Sequence, residues 1–292
     1  MQIPEKLVER LHKLGLDESF YEMRSRKCIL SRQKLDLEKV PWLIEQTAAG
    51  HQSGCGYYAP DAWNEKKNNF IFDPVSLVPC LALDPQPGER ILDMCAAPGT
   101  KTYIIDFMAG GNAHIVANDI NKFRIKRLVS NVSKFHISAE VTNESGRKIH
   151  GPFDKILLDA PCSGEGMVNK KEKLFGHWSE ARIRLMSKKQ KKLIKNAFKI
   201  LSEPVSEKSP GGTLVYSTCT FAPEENEEVI DFLLKKYGNA QVEKIEINNM
   251  KFSPGLQEWG AKKYDSEVEK CMRIYPHQNN TGGFFVAKIS KL

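Results

Sequence analysis

Residues 91–108 read ILDMCAAPGTKTYIIDFM, and the change of pattern inside this stretch decides the fold. Ile91 to Met94 is a strand candidate, and Lys101 to Met108 is a helix candidate. Between them, small Ala and Gly residues form a turn that permits close approach of a ligand, while the following helix can present free backbone donors. An ordinary strand-to-helix turn is the competing reading, and the GxxxxGK(S/T) spacing of a P-loop is absent.

Working outward, the alternation repeats. His114 to Ala117 predicts a strand, Lys122 to Val132 a helix, His136 to Val141 a strand and Lys155 to Leu158 another. A long helix follows from Glu180 to Leu201, then a strand at Thr213 to Tyr216, a helix from Pro223 to Lys236, and strands at Gln241 to Ile247 and Gly283 to Ile289. Strands separated by helices of this length imply right-handed βα repeats around a mainly parallel, doubly wound α/β sheet. The segment from Phe252 to Gln278 is less regular and is a candidate for part of the binding cleft. Glu203 to Pro210 reads as a polar, Pro-bounded loop. Before Phe70 the pattern is mixed: Leu7, Leu11 and Leu14 are helix-like, and Gly54 to Tyr58 reads as a turn followed by extended chain. We therefore divide the chain into a small accessory domain, 1–69, and a larger domain, 70–292.

The chain has 292 residues, with 43 Lys and Arg against 36 Asp and Glu, giving a formal charge of +7. A length of about 100 to 200 residues per domain fits this division, and the basic balance favours a polyanionic partner without selecting one. The seven cysteines form no close CxxC pair, and their odd number suits reduced cytoplasmic thiols better than a secreted scaffold. No run approaches the roughly 18 apolar residues of a membrane span, so neither export nor a membrane partner is expected. No metal is expected, because the local Cys and His spacing of a zinc module is absent.

Two cysteines fall just past strand-like runs: Cys162 after Asp159, Ala160 and Pro161, and Cys219 between Thr218 and Thr220. Ligands of open α/β sheets collect beyond the carboxyl ends of the strands, which suits covalent chemistry. Asp119, one βα unit after the first turn, is placed to accept hydrogen bonds from a ribose diol, with a helix N-cap as the rival reading.

The strings DMCAAPGTKT, ANDINKFRIKRLVSN, FDKILLDAPCSGEG, GGTLVYSTCTFAPEENEE and TGGFFVAKI resemble, in order and spacing, the motifs of RNA cytosine-C5 methyltransferases of the Nol/Nop/Sun family. The resemblance implies a Rossmann-like S-adenosylmethionine-dependent methyltransferase domain and a small N-terminal α+β accessory domain with an abbreviated RNA-recognition-like fold. It implies Cys95, Ala96, Ala97, Pro98, Gly99, Thr100 and Lys101 beside the methionine part of S-adenosylmethionine, Asp119 on its ribose and Arg124 in support. Thr100 stands where the family usually has a second glycine. Ser145 stands near an acidic position that serves the adenine region.

On the same resemblance, Cys219 is the nucleophile that adds to C6 of cytosine. Cys162 assists product release, Asp159 contacts the base and lines the cofactor region, and Lys101 orients catalytic groups. A thiol suits the task because its addition at C6 places electron density on C5, dividing a hard reaction into easier steps. The partner is RNA, with tRNA the first choice and rRNA the rival, and the protein is expected to be a monomer. Lys188, Lys189, Lys191, Lys192 and Lys195 form a basic helix segment suited to phosphates, or simply a solvated face. Trp178 and His277 are candidates for the target pocket. Glu224 to Glu228 read as a capped helix start. A thiol hydrolase lacks an identifiable base beside Cys219, and an RNA-binding scaffold with weakened cofactor use is the further alternative.

Overall fold

Successive residues of each central strand enter opposite cores, as the two-residue period of an extended chain requires. Ile91, Leu157, Val215 and Val286 face one cluster, while Leu92, Ile156, Leu158, Leu214, Tyr216, Phe285 and Ala287 face the other. A sheet apolar on both faces must be covered on both, and helices do this. The computed structural model describes residues 3–31, 35–41, 55–59, 70–168, 174–205 and 211–292.

Strands β1 (Cys28–Ser31) and β2 (Cys55–Tyr58) pair antiparallel in a small sheet. The main sheet contains β3 (Arg90–Asp93), β4 (His114–Asn118), β5 (Ala139–Thr142), β6 (Lys155–Asp159), β7 (Thr213–Thr218), β8 (Ala240–Glu243), β9 (Ser253–Pro254), β12 (Met272–Ile274) and β13 (Phe284–Lys291). Its order is β5-β4-β3-β6-β7-β13-β12-β9, with β8 also on β13. Strands β3 to β7 are mutually parallel, and β13 runs antiparallel to β7. The short pair β10 (Glu258–Trp259) and β11 (Lys262–Lys263) stands apart.

The helices are specified locally. Asn121 Oδ1 accepts from the Phe123 and Arg124 amides to start the helix Lys122–Lys134. Ser179 caps the helix Glu180–Lys199 through the Arg182 amide at 3.1 Å; such a cap contributes about 1 kcal/mol. That helix buries Ile183, Met186, Ile194, Ala197 and Phe198. Its opposite side is charged.

The strands and helices expected from Ile91 to Lys236 are all present, with shifted ends. The strand near His136 begins at Ala139, the helix expected from Pro223 begins at Glu227, and the strand expected at Gln241 to Ile247 is confined to Ala240–Glu243. The first shift has a visible cause: Ile137 is buried, and the backbone turns through a positive φ at His136. Gly54 of the expected turn and 206–210 of the expected loop lie outside the described residues.

The accessory region shares its cores with the rest of the chain. Leu7, Leu11, Phe20 and Tyr21 pack with Phe175, Phe221 and Tyr275, and Cys28, Leu30 and Tyr58 belong to the cluster under β3. Among the described residues, no helix is long and apolar enough to cross a membrane.

Candidate active site

From β3 the chain winds through β4 to β5, then returns to place β6 on the other side of β3. Open α/β sheets bind ligands at such a reversal, beyond the carboxyl ends of the two strands that flank it, here β3 and β6. Asp93 and Asp159 end those two strands, and Cys219 follows β7 directly.

Asp93 is fully buried. Thr102 Oγ1 donates to its Oδ2 at 2.8 Å, while Oδ1 has no partner among the described residues. Burial pushes this carboxyl up to about 7. Asp159 accepts from Lys101 Nζ at 2.8 Å on one oxygen and from Ser217 Oγ at 3.0 Å on the other. Burial works to lower the pKa of Lys101, but the charge and hydrogen bond of Asp159 outweigh it and hold the ammonium above its ordinary range. Lys101 is thus a largely buried cation fixed on Asp159.

The turn beside Asp93 fits S-adenosylmethionine. Gly99 adopts φ +104°, and a Cβ there would meet Leu128 Cδ1 at 2.9 Å. Gly99 also leaves the first turn of the helix Thr100–Met108 without a side-chain cap, so its amides are open to a ligand. Thr100 begins that helix, and the left-handed position falls on Gly99 instead. The second-glycine departure therefore imposes no backbone strain. Cys95 is half-buried, Ala96 and Ala97 are buried, and Pro98 is exposed along the same turn.

Asp119 sits across from this turn, accepting from the Ala97 amide at 3.2 Å and the Asn121 amide at 2.8 Å. Arg124 pairs with it at 3.2 Å and donates to the Ala97 carbonyl. Asp119 therefore ties the second strand end to the glycine turn, and an ionised carboxylate still has acceptor sites for a diol. Ser145 lies on the loop after β5. Asn118 draws in that loop by accepting from the Glu144 amide at 2.8 Å and donating to its carbonyl at 3.1 Å. These contacts gather the turn after β3, Asp119, Arg124 and the loop that carries Ser145 at the carboxyl ends of β3 and β4.

The two thiols meet as well. Cys162 Sγ lies 3.3 Å from Cys219 Sγ, and both residues are half-buried. This is well beyond the roughly 2.0 Å of a disulfide, and both cysteines are free. The hydrogen bond with Cys219, and then burial, push the Cys162 thiol well up.

Around the thiols lies a set of buried polar groups that sequence reasoning missed. Glu165 accepts from Trp178 Nε1 at 2.8 Å, Thr220 Oγ1 at 3.0 Å and the Phe221 amide at 3.1 Å. Glu225 accepts from the Ser163 amide at 3.0 Å and from Gln190 Nε2 at 2.8 Å; Gln190 also donates to the Pro161 carbonyl at 2.9 Å. Arg273 is buried and bidentate on Glu227, at 2.5 and 2.6 Å. The acidic run is therefore not simply a capped helix start. Glu227 and Glu228 do occupy the first turn, but Asn226 makes no side-chain cap, and Glu225 and Glu227 are inside the protein. The only sequence signal was the placement of Glu165 and Glu225 shortly after the cysteines.

The remaining candidates separate. Trp178 packs against the Leu7 and Leu11 cluster and hydrogen-bonds Glu165. His277 is exposed and stacked on Tyr275, with ring centroids 6.0 Å apart. Phe221, two residues past Cys219, is buried in the same core as Phe20 and Tyr275. Lys188, Lys189, Lys192 and Lys195 are exposed, while Lys191 is half-buried and paired with Glu228 at 2.7 Å. Arg10, Arg184, Lys188, Glu224 and Lys262 line a charged groove of about 370 Å³ beside that helix.

The family model for 16S rRNA methyltransferase RsmB/F matches residues 80–290. The chain is 36% identical over 321 residues to a tRNA (cytosine(49)-C(5))-methyltransferase of Pyrococcus abyssi, covering 99% of this chain and 97% of that relative. It is 37% identical to the 25S rRNA (cytosine-C(5))-methyltransferase nop2 of Schizosaccharomyces pombe over 74% of this chain, but only 36% of that relative. A crystal structure of a methyltransferase homologue from Pyrococcus horikoshii superposes with a TM-score of 0.75 at 27% identity, covering 99% of this chain and all of that one. NSun6 of Pyrococcus horikoshii, solved with SFG, gives 0.66 at 29% identity over 80% of this chain and 56% of that one.

Proposed function

The chain belongs to the RsmB/F family of RNA methyltransferases, and on that premise we propose that it transfers a methyl group to C5 of cytosine in RNA, with tRNA as its substrate. The observation that carries the proposal is the pair of half-buried thiols 3.3 Å apart, standing past β6 and β7 beside the Lys101 and Asp159 pair. The match of a tRNA methyltransferase along nearly its whole length supports tRNA. An rRNA substrate is the second reading, supported by the match to the nop2 relative.

S-adenosylmethionine, when bound, supplies an electrophilic methyl group. Cys95 through Lys101, Asp119, Arg124 and Ser145 would hold it, with Asp159 at the border of the cofactor and base sites. The Cys219 thiolate adds to C6 and makes the ring enamine-like, which raises electron density on C5. Asp159, fixed by Lys101 and Ser217, orients the base through N3 and the exocyclic amine and handles the proton that accompanies addition. After methylation a general base takes the C5 proton, the electrons of that C–H bond restore the C5–C6 double bond, and Cys219 is expelled from C6 as its thiolate. Cys162 serves that release stage.

Trp178, His277 and the lysines of Glu180–Lys199 serve the RNA, and the accessory region 1–69 helps recognise its shape. The target base must leave its stack, so an unpaired or weakly paired cytosine is favoured. The protein works as a monomer in the reducing cytoplasm. Incubation with methyl-labelled S-adenosylmethionine and separate tRNA and rRNA pools, followed by base-resolution mapping, tests this. The expected product is 5-methylcytosine in tRNA; label in rRNA alone selects the second reading, and no 5-methylcytosine in either pool rejects the activity.

A further inference from the structure

Each catalytic cysteine is followed on its own loop by a buried glutamate that reaches to the loop of the other cysteine. Glu165, on the Cys162 loop, accepts from Thr220 Oγ1 at 3.0 Å and the Phe221 amide at 3.1 Å, the two residues directly after Cys219. Glu225, past Cys219, accepts from the Ser163 amide at 3.0 Å, directly after Cys162. Gln190 joins Glu225 to the Pro161 carbonyl, so both neighbours of Cys162 are held by one unit. Ser163 Oγ and Thr220 Oγ1, 2.7 Å apart, tie the loops directly, and the Gly166 amide donates to the Cys219 carbonyl at 2.9 Å.

We propose that Glu165 and Glu225 are positioning residues forming a crossed clamp, in which Glu165 sets the placement of the Cys219 thiol and Glu225 sets that of Cys162. The inference rests on the covalent mechanism above. Two carboxylates with almost no solvent access are costly to bury unless hydrogen bonds compensate them. Among the described residues, both donors to Glu225 and two of the three to Glu165 flank a cysteine or bridge to that flank. The remaining donor to Glu165 is Trp178, which anchors it to the Leu7 cluster. The clamp thereby couples each thiol to the loop of its partner. A displacement of about 1 Å at a reacting group costs on the order of 100-fold in rate, so the two loops need this registration.

The two arms predict opposite phenotypes. Loosening the Cys162 loop in Glu225→Ala leaves Cys219 able to attack but slows release, so a covalent RNA adduct accumulates while turnover falls. Loosening the Cys219 loop in Glu165→Ala prevents attack, so turnover falls without an adduct. The assay is a denaturing gel with labelled RNA and S-adenosylmethionine, run beside Cys219→Ala and Cys162→Ala, with S-adenosylhomocysteine binding and thermal melting as checks of the fold. The expected result is several-fold more adduct for Glu225→Ala than for the wild type, none for Glu165→Ala, and S-adenosylhomocysteine affinity unchanged in both. Glu165→Gln and Glu225→Gln keep one acceptor each, and show the same split at reduced size with turnover partly rescued; they carry the test where the Ala variants unfold. Equal adduct levels in the folded variants of the two positions overturn the clamp. If instead Cys219→Ala still forms an adduct, the underlying mechanism is at fault.

Discussion

The sulfur atoms of Cys162 and Cys219 approach to 3.3 Å although 57 residues separate them in the chain. The parallel pairing of β6 with β7 brings their carboxyl ends side by side, so the thiols meet because of the sheet. Loss of Cys219 is expected to abolish methylation. Cys162→Ala is expected to retain attack and trap RNA as a covalent species visible on a denaturing gel. An adduct that survives removal of Cys219 would reverse these roles.

Lys101 and Asp159 form the other close relationship at the site, with side chains 11% and 29% exposed. Removing one member of such a pair leaves the other charge poorly solvated, at a cost on the order of 2 kcal/mol, less than for a fully buried pair. Lys101→Ala should therefore lower the melting temperature, and it should reduce kcat more than RNA affinity because Asp159 loses its fixed orientation. A variant with unchanged kcat and weakened RNA binding would instead make Lys101 a phosphate contact.

Gly99 combines φ +104° with a would-be Cβ contact of 2.9 Å to Leu128. Both obstacles act on the turn assigned to the cofactor, so Gly99→Ala should weaken S-adenosylhomocysteine binding by calorimetry. Thr100→Gly addresses the departure at the next position. Because Thr100 is already helical, restoring glycine there should not strengthen binding; a marked gain would mean that its side chain obstructs the ligand.

Much of this arrangement was legible because strand period, helix period and small-residue turns are local properties. Asp93, Cys162 and Cys219 sit where apolar runs stop, and their meeting follows from one sheet order. The roles of Glu165, Glu225 and Gln190 were not legible, because each depends on a backbone partner in a different loop. Arg273 is the same case: a lone arginine in an irregular segment gave no sign that it would be buried against Glu227. Glu227 in turn resembled a helix-dipole charge until the fold placed a cation over it.

On the helix Glu180–Lys199, the exposed lysines Lys188, Lys192 and Lys195 share one outward face at helical spacing, with Arg184 and Lys199 in the same row. No acidic residue lies among these five positions, although Glu180 precedes Arg184 by one turn and Glu224 and Glu228 line the groove beside Lys188. The triple variant Lys188→Ala, Lys192→Ala, Lys195→Ala should weaken RNA binding and reduce the slope of log affinity against log salt by roughly 2 if all three meet phosphates of an unpaired strand. Lys191→Ala should change that slope least, since Lys191 is already neutralised by Glu228. Filter binding across a salt series measures both, and an unaltered slope in the triple variant would assign the row to solvent.

Burial holds Asp93 and Glu225 each at about 7, whereas carboxyls of an unfolded chain titrate near pH 4. Between about pH 4.5 and 7 the folded protein therefore binds more protons than the unfolded one, and its stability falls as pH rises through that window. Glu165, also raised by burial, acts in the same direction. Asp17, Glu38, Glu228 and Glu267 are held below their ordinary values, so their contributions are lost on the acid side, below about pH 4.5. The melting temperature should accordingly decline from pH 5.5 to pH 8. Asp93→Asn and Glu225→Gln each replace an ionisable group with a neutral amide, and each should flatten part of that decline. Calorimetric scans across the range test the assignment: a double variant with the full wild-type slope would place the titrating groups elsewhere.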